Sequence, residues 1–254
     1  QDKHDARLKD CAWKNNLRNS VSLLKNKIKG KKIMVYNYCT NTTGGDDKNL
    51  WNKEKFKPPY KGKPKLEKRL DANLRLIEKF TEMGVPNKQI ILTGHSCGGW
   101  MTMMLMARHP NKVGGGISYM PACYGKISKN FKVKKVGIEK ALKKFEKKWG
   151  PGPANMRKFQ IDEIKKSNNL PILVFTHPKD PFAGLTSDWV EEVSGVKRII
   201  ISENNKVGEK SCYRIGINNG KQWKEKINNF HYVNWADCFQ YYNSTIIEFI
   251  ESRI

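Results

Sequence analysis

Gln89-Ile90-Ile91-Leu92-Thr93-Gly94-His95-Ser96-Cys97-Gly98-Gly99-Trp100-Met101-Thr102-Met103-Met104-Leu105-Met106-Ala107-Arg108 is the stretch on which the reading of this chain turns. It opens as a strand-like apolar run, passes through G-x-S-x-G at residues 94–98, and continues from Trp100 as a helix-like run. The pentapeptide alone arises by chance in about one chain in ten of this length, given ordinary glycine and serine usage. Its flanks give it meaning. A strand, a tight turn and a helix hold Ser96 in a sparsely allowed backbone region, at a cost of about 1–3 kcal/mol, and such a turn exposes a serine hydroxyl for attack. Gly94 and Gly98 are expected to leave room that side chains would fill, and Gly99 to let the helix pack closely on the sheet. The helix N-terminus behind Ser96 offers unpaired N–H groups and positive dipole to a developing oxyanion. The plain alternative is a glycine-rich turn whose serine does nothing. Met101, Met103, Met104 and Met106 read as the core face of the helix.

Outward from this stretch, strands and helices alternate. Residues 1–30 read as an amphipathic helical lead with Leu8, Ala12, Leu17, Val21 and Leu24 facing inward, ending at Gly30. Ile33 to Tyr38 reads as a strand closing in a loop of turn formers, Cys39 to Gly45. Leu66 to Met83 places Leu70, Leu74, Ile77 and Phe80 on one helical face, with Gly84 as the stop. Further strands are expected at Val113–Tyr119, Pro171–Thr176 and Val196–Ser202, with a helix around Ser187–Val193 and a last helix from about Cys238 to Ser252. Residues 124–169 interrupt the alternation; within them Ile138–Trp149 reads as a lysine-rich helix ended by Pro151-Gly152-Pro153. The pattern predicts an α/β chain with a mostly parallel central sheet flanked by helices, organised as one domain over residues 1–254. Sites in such sheets form at the carboxyl ends of strands.

A serine hydroxyl attacks at neutral pH only when a base accepts its proton, and histidine suits that task. The chain has five histidines. His4 lies near the N-terminus, His95 is expected to point away from the turn, and His109 to cap the C-terminal end of the elbow helix. His177 and His231 remain; His177 follows an apolar strand and lies near Asp180, while His231 lies in a loop before the final helix. A buttressing acid keeps the base in the right tautomer, and its loss costs about 10⁴ in turnover in the serine-protease template. Asp180, in Thr176-His177-Pro178-Lys179-Asp180-Pro181-Phe182, follows a strand in a loop that Pro181 fixes.

With these residues in hand, the chain resembles the α/β-hydrolases, and within them the small dienelactone-hydrolase-like esterases, over about residues 31–254. The resemblance rests on Gly94 to Gly99, on Pro171 to Pro181, and on His231 followed by a closing helix ending Phe249-Ile250-Glu251. It implies Ser96 as nucleophile, His231 as general base and acid, and Asp180 as the orienting carboxylate. It also implies an oxyanion hole from the N–H of Cys97 and one from Cys39 or Thr40, and a cap insertion at about 124–169. The chain departs from that pattern where the usual His-Gly loop reads Asn37-Tyr38-Cys39, where Phe230 rather than glycine precedes His231, and in showing five strands where the family commonly has about eight.

The implied function is a serine hydrolase, foremost a carboxylesterase working through an acyl-enzyme without cofactor or metal. The rivals are a serine peptidase of the same fold and a catalytically silent member that binds anionic polymers. The last arises because 48 basic against 24 acidic residues give a net charge of +24, and because residues 126–166 hold 14 Lys or Arg. A lysine-dense cap suits an anionic substrate or surface; the same lysines also read as a solvated helical face. No basic motif interleaved with aromatics speaks for nucleic acid. The substrate is thus expected to be a small or polymeric ester.

The apolar run Trp100–Ala107 is far short of the roughly 20 residues a membrane span needs. A start at Gln1 without an apolar leader, and six cysteines, read as an exported chain in the periplasm or outside the cell. Cys212 and Cys238 form a reasonable local pair around His231, and Cys97 and Cys39 a second pair near the serine; either of the latter reads equally as a buried thiol. No Cys or His spacing suits zinc. Oligomeric state is left open.

Overall fold

A computed structural model describes residues 26–36, 65–201, 206–207, 210–218, 221–227 and 229–254. Strands β1 (Lys27–Ile28) and β2 (Lys31–Lys32) pair as a hairpin. Its two-residue turn has positive φ at both positions, 47° at Lys29 and 78° at Gly30, the twist a tight hairpin requires. The expected lead helix therefore does not run to Gly30; its portion up to residue 25 lies outside the described residues. The expected strand Ile33–Tyr38 carries no ladder over residues 33–36, and its last two residues lie outside the description. Ile33 packs on the core, whereas Met34 is 88% and Tyr36 64% exposed, so the run alternates as a strand does without being paired.

Helix α1 (Lys65–Glu82) forms as its periodicity predicts, burying Leu66, Leu70 and Ile77. Gly84 and Val85 donate their N–H groups back to Thr81 and Phe80 and so stop it. Then come β3 (Ile91–His95), α2 (Cys97–Arg108) and β4 (Gly115–Tyr119). The interrupting segment resolves into α3 (Ile127–Asn130), α4 (Val133–Val136), α5 (Ile138–Trp149) and α6 (Pro151–Lys165). Pro151 ends α5 as expected, and it also starts α6 at the first helical position, where a missing N–H costs nothing. Strand β5 (Ile172–Thr176), a 3-10 stretch at Gly184–Glu192 and β6 (Val196–Ile200) follow. Short strands β7 (Lys206–Val207) and β8 (Lys210–Ser211) pair with each other, as do β9 (Tyr213–Asn218) and β10 (Lys221–Lys226). The expected final helix is split: 3-10 turns at Phe230–Trp235 and Asp237–Tyr242 precede α7 (Asn243–Glu251).

The central sheet is four-stranded and parallel, in the order β3-β4-β5-β6. Parallel strands need both faces covered, and β5 reports both. Ile172 and Val174 join the cluster under α1, α2, α5 and α6; Leu173 and Phe175 join the opposite cluster with Phe239, Ile246 and Phe249. The four methionines of α2 are buried as their pattern implied. α2 lies so close to β4 that a methyl on Gly116 would sit 2.5 Å from the Met106 sulfur. α6 packs on α2 through Gln160, which accepts from the Trp100 indole at 2.7 Å, and through Glu163, which pairs with Arg108. It thus packs in the helical layer beside α2. α5 buries Ala141 and Phe145 and turns Lys143, Lys144, Lys147 and Lys148 to solvent, the pattern of a solvated helical face.

Candidate active site

Three loops at the carboxyl ends of β3, β4 and β5 meet above the sheet, and Ser96 stands on the first. Its φ of 57° and ψ of −122° lie where side chains are rarely tolerated. The surroundings hold it there. Ser96 N–H donates to Tyr119 O at 2.9 Å, and Ser96 O accepts from Trp100 N–H at 3.0 Å and Ala122 N–H at 3.2 Å. A methyl at position 94 would lie 2.3 Å from the Gly98 carbonyl, so Gly94 is a strict requirement of the turn. Gly99 is equally crowded, 2.6 Å from the Ser118 hydroxyl oxygen, whereas a methyl at Gly98 meets open space. The room-making pair is thus Gly94 and Gly99 rather than Gly94 and Gly98.

Ser96, Asp180 and His231, far apart in sequence, come together. His231 Nε2 lies 2.8 Å from Ser96 Oγ, and Nδ1 lies 3.1 and 3.0 Å from the two Asp180 carboxylate oxygens. Asp180 and His231 are 2% and 1% exposed. With Nδ1–H donating to Asp180, Nε2 is the lone-pair nitrogen and accepts from the serine hydroxyl. Asp180 is held in turn: its N–H donates to His177 O at 2.9 Å, and one carboxylate oxygen accepts from Phe182 N–H at 2.8 Å. The Phe182 ring stacks on His231 at 4.0 Å and keeps water from that face. His231 does not lie in an open loop. It is the second residue of the 3-10 turn Phe230–Trp235, whose cap, Asn229, accepts its N–H at 3.1 Å.

This arrangement marks the fold. The core has the α/β-hydrolase fold: a parallel sheet, a serine on a strand–turn–helix elbow, and an acid and a histidine following in chain order. No protein-family model matches the sequence, and no curated protein matches it. Solved structures do resemble it. One of two fungal esterases from Rhizomucor miehei is 14% identical with a TM-score of 0.45, over 78% of this chain and 60% of that one. A monoacylglycerol lipase from Paleococcus ferrophilus is 14% identical with a TM-score of 0.43, over 74% and 76%. A CIB-like hydrolase from Thermoplasma acidophilum is 17% identical with a TM-score of 0.39, over 72% and 60%. The chain thus spans 60% of the Thermoplasma protein, and 62% of a carboxylesterase from Nitrososphaera gargenis.

Other expected residues fall as follows. His177 is buried but serves as a shelf: its Nδ1 accepts from Lys179 N–H at 3.0 Å, and its ring stacks at 3.8 Å on Phe230, the residue before His231. His109 caps α2 with its backbone N–H, as expected. Cys212 pairs with Cys238 as expected. Cys97 pairs with Cys123, not with Cys39, tying the first residue of α2 to the loop after β4. The N–H of Cys97, in the first turn of α2, has no acceptor within the helix and is free in that sense to face an oxyanion. Cys39 and Thr40 lie outside the described residues. Among the described residues, no group of three His, Cys, Asp or Glu gathers at metal distance, and no helix is long and apolar enough to cross a membrane.

His95 corrects the sequence reading. Its ring does not point away from the site: Nε2–H donates to the His231 backbone carbonyl at 2.6 Å, with the two rings 4.7 Å apart. The side chain before the nucleophile thus braces the backbone of the residue that accepts the nucleophile's proton. Burial, followed by the charge of His231, pulls the His95 pKa from 6.5 down to about 3, while the bond to the carbonyl opposes this. Above pH 6.5 the folded and unfolded chains are alike at this residue. Between pH 6.5 and about 3, only the unfolded chain takes up the proton, so stability falls on acidification. His95→Gln keeps a donor and removes the titration. The unfolding free energy from urea titration is expected to fall less from pH 7.5 to pH 5 in the variant than in the wild type, by up to about 2 kcal/mol. An equal fall in both proteins contradicts this account of His95.

Proposed function

We propose that the chain is a serine hydrolase acting on carboxylic esters, with Ser96 as nucleophile, His231 as general base and acid, and Asp180 as its orienting partner. The observation that carries the reading is the continuous hydrogen-bonded path from the Asp180 carboxylate through His231 to Ser96 Oγ, ending at a strained elbow. In acylation, Oγ attacks the ester carbonyl carbon while its proton passes to His231 Nε2. The imidazolium is stabilised by buried Asp180. The C–O bond then breaks and the alcohol leaves with that proton. Water attacks the acyl-enzyme by the same route, giving a proton to Nε2, which returns it to Ser96 as the acid departs.

The tetrahedral intermediates carry a negative oxygen, for which we assign the Cys97 N–H as one donor and a backbone N–H at Cys39 or Thr40 as the other. The Cys97–Cys123 bond anchors the donor end of α2 to the loop carrying Ala122. A chain relying on two such bonds belongs in an oxidising compartment, in keeping with export. We propose one domain over residues 1–254 and narrow its cap from about 124–169 to α3–α5, since α6 packs in the layer.

The test is a panel of neutral ethyl and p-nitrophenyl esters of two to twelve acyl carbons, with the matching anilides. Turnover of the short esters, with anilides slower, is the expected result. Anilide turnover equal to that of the esters favours the peptidase reading. Inertness to the whole panel, with salt-sensitive retention on heparin, favours the binding protein.

A further inference from the structure

A narrow recess opens beside Ser96. It is lined by Trp100, Ala122, Tyr124, Phe182, Thr186 and Arg157 of α6. Two contacts tie it to the serine and histidine: Ala122 O lies 3.2 Å from Ser96 Oγ, and Phe182 is the ring stacked on His231. Arg157 is the unusual member. It is 8% exposed, and of its five N–H donors one terminal nitrogen reaches Thr186 O at 2.9 Å. None of the ion pairs among the described residues includes it.

A buried charge normally has a counter-charge, because removing an ion from water costs several kcal/mol. Two part-buried arginines follow that rule, Arg108 holding Glu67 and Glu163 and Arg198 holding Asp188 and Glu191; Arg69 and Arg253, both less buried than Arg157, have no such pair among the described residues. Glu67 acts on Tyr124 through space but is itself taken by Arg108. Nor does Arg157 escape its charge by losing a proton, since burial lowers its pKa only to about 10, opposed by Tyr124. At the rim, the Lys126 ammonium lies 5.3 Å from the centre of the Phe182 ring and adds to the positive potential.

We propose that Arg157 is a specificity residue, and that the Ser96 site takes esters bearing a carboxylate which pairs with the Arg157 guanidinium. This rests on the serine-hydrolase reading above and names its substrate class. A carboxylate fits better than a phosphate: one guanidinium neutralises a monoanion, whereas a dianion would leave a buried charge uncompensated.

Ethyl hydrogen succinate carries the charge in the acyl part and O-butyryl glycolate in the alcohol part; ethyl pentanoate is the neutral comparison. The wild type is expected to favour at least one of the charged esters in kcat/KM by about 10–100-fold, the worth of a hydrogen-bonded charge. Arg157→Met should abolish that preference and leave ethyl pentanoate within about threefold; Arg157→Lys should restore part of it. An equal loss on charged and neutral esters, or no preference in the wild type, overturns the proposal. Labelling of Ser96 by a fluorophosphonate, which needs no carboxylate, separates that failure from failure of the hydrolase reading. If both Arg157 variants fail to fold, a wild type lacking competitive inhibition by succinate overturns the proposal, and inhibition that rises as salt falls supports it.

Discussion

Ser96→Ala is expected to lower kcat on an activated ester by about 10⁵–10⁶, to the level left by binding and oxyanion donors alone. The substitution removes the atom that forms the acyl bond and leaves the elbow untouched. Ser96 Oγ makes only the bond to His231 and the 3.2 Å contact with Ala122 O, whereas the backbone bonds of Ser96 to Tyr119, Trp100 and Ala122 persist in alanine. Thermal unfolding should shift by no more than a few degrees, because no packed apolar volume is lost. Activity lost together with the fold would point instead to a structural serine, and residual turnover within tenfold of wild type would place the nucleophile elsewhere.

Asp180→Asn carries the second large effect, a fall of about 10⁴ in kcat with little change in KM. The carboxylate accepts from His231 Nδ1–H through both oxygens, and this leaves Nε2 free to take the serine proton. An amide presents an N–H toward Nδ1 and favours the other tautomer, in which Nε2 carries the hydrogen and cannot act as base. Because Asp180 is 2% exposed, water does not substitute for the missing acceptor. Single-turnover kinetics should show slowed acylation. A loss confined to KM would mean that Asp180 only shapes the binding surface.

The parts of this site that sequence revealed are those whose signals are local. Ser96 was legible because strand, glycine-spaced turn and helix all fall within twenty residues and constrain one another. Asp180 was legible because an apolar run precedes a proline-fixed loop, and His231 because few histidines compete for the role. What escaped depends on where distant segments land. The inward turn of His95 is meaningful only once residues 229–235 fold back over the elbow to present the His231 carbonyl. The stacking of His177 under Phe230 joins two loops some fifty residues apart. Cys97 finds Cys123 rather than Cys39 because the loop after β4 passes beside the start of α2, a proximity set by sheet order.

The strand pattern divides the same way. β5, buried on both faces, announces itself as an uninterrupted apolar run, Ile172-Leu173-Val174-Phe175. Ile33 to Tyr36 has strand-like composition, yet pairing is decided by a neighbour, and residues 33–36 have none in the described sheet. The β9–β10 hairpin is not among the expected strands, although Tyr213, Ile215 and Ile217 alternate in β9; the partner, Lys221-Gln222-Trp223-Lys224-Glu225-Lys226, has no such alternation. Arg157 reads from sequence as one more basic residue among the 14 between 126 and 166. Only burial distinguishes it from the lysines of α5, which face water.

The central claim is that Ser96 is an activated nucleophile, and a fluorophosphonate probe followed by peptide mass mapping tests it most directly. Wild-type protein should take up one phosphonyl group on the peptide containing Gly94-His95-Ser96-Cys97-Gly98, Ser96→Ala none, and Asp180→Asn should react far more slowly. Folded wild-type protein that stays unmodified, or that is modified at a residue other than Ser96, contradicts the account.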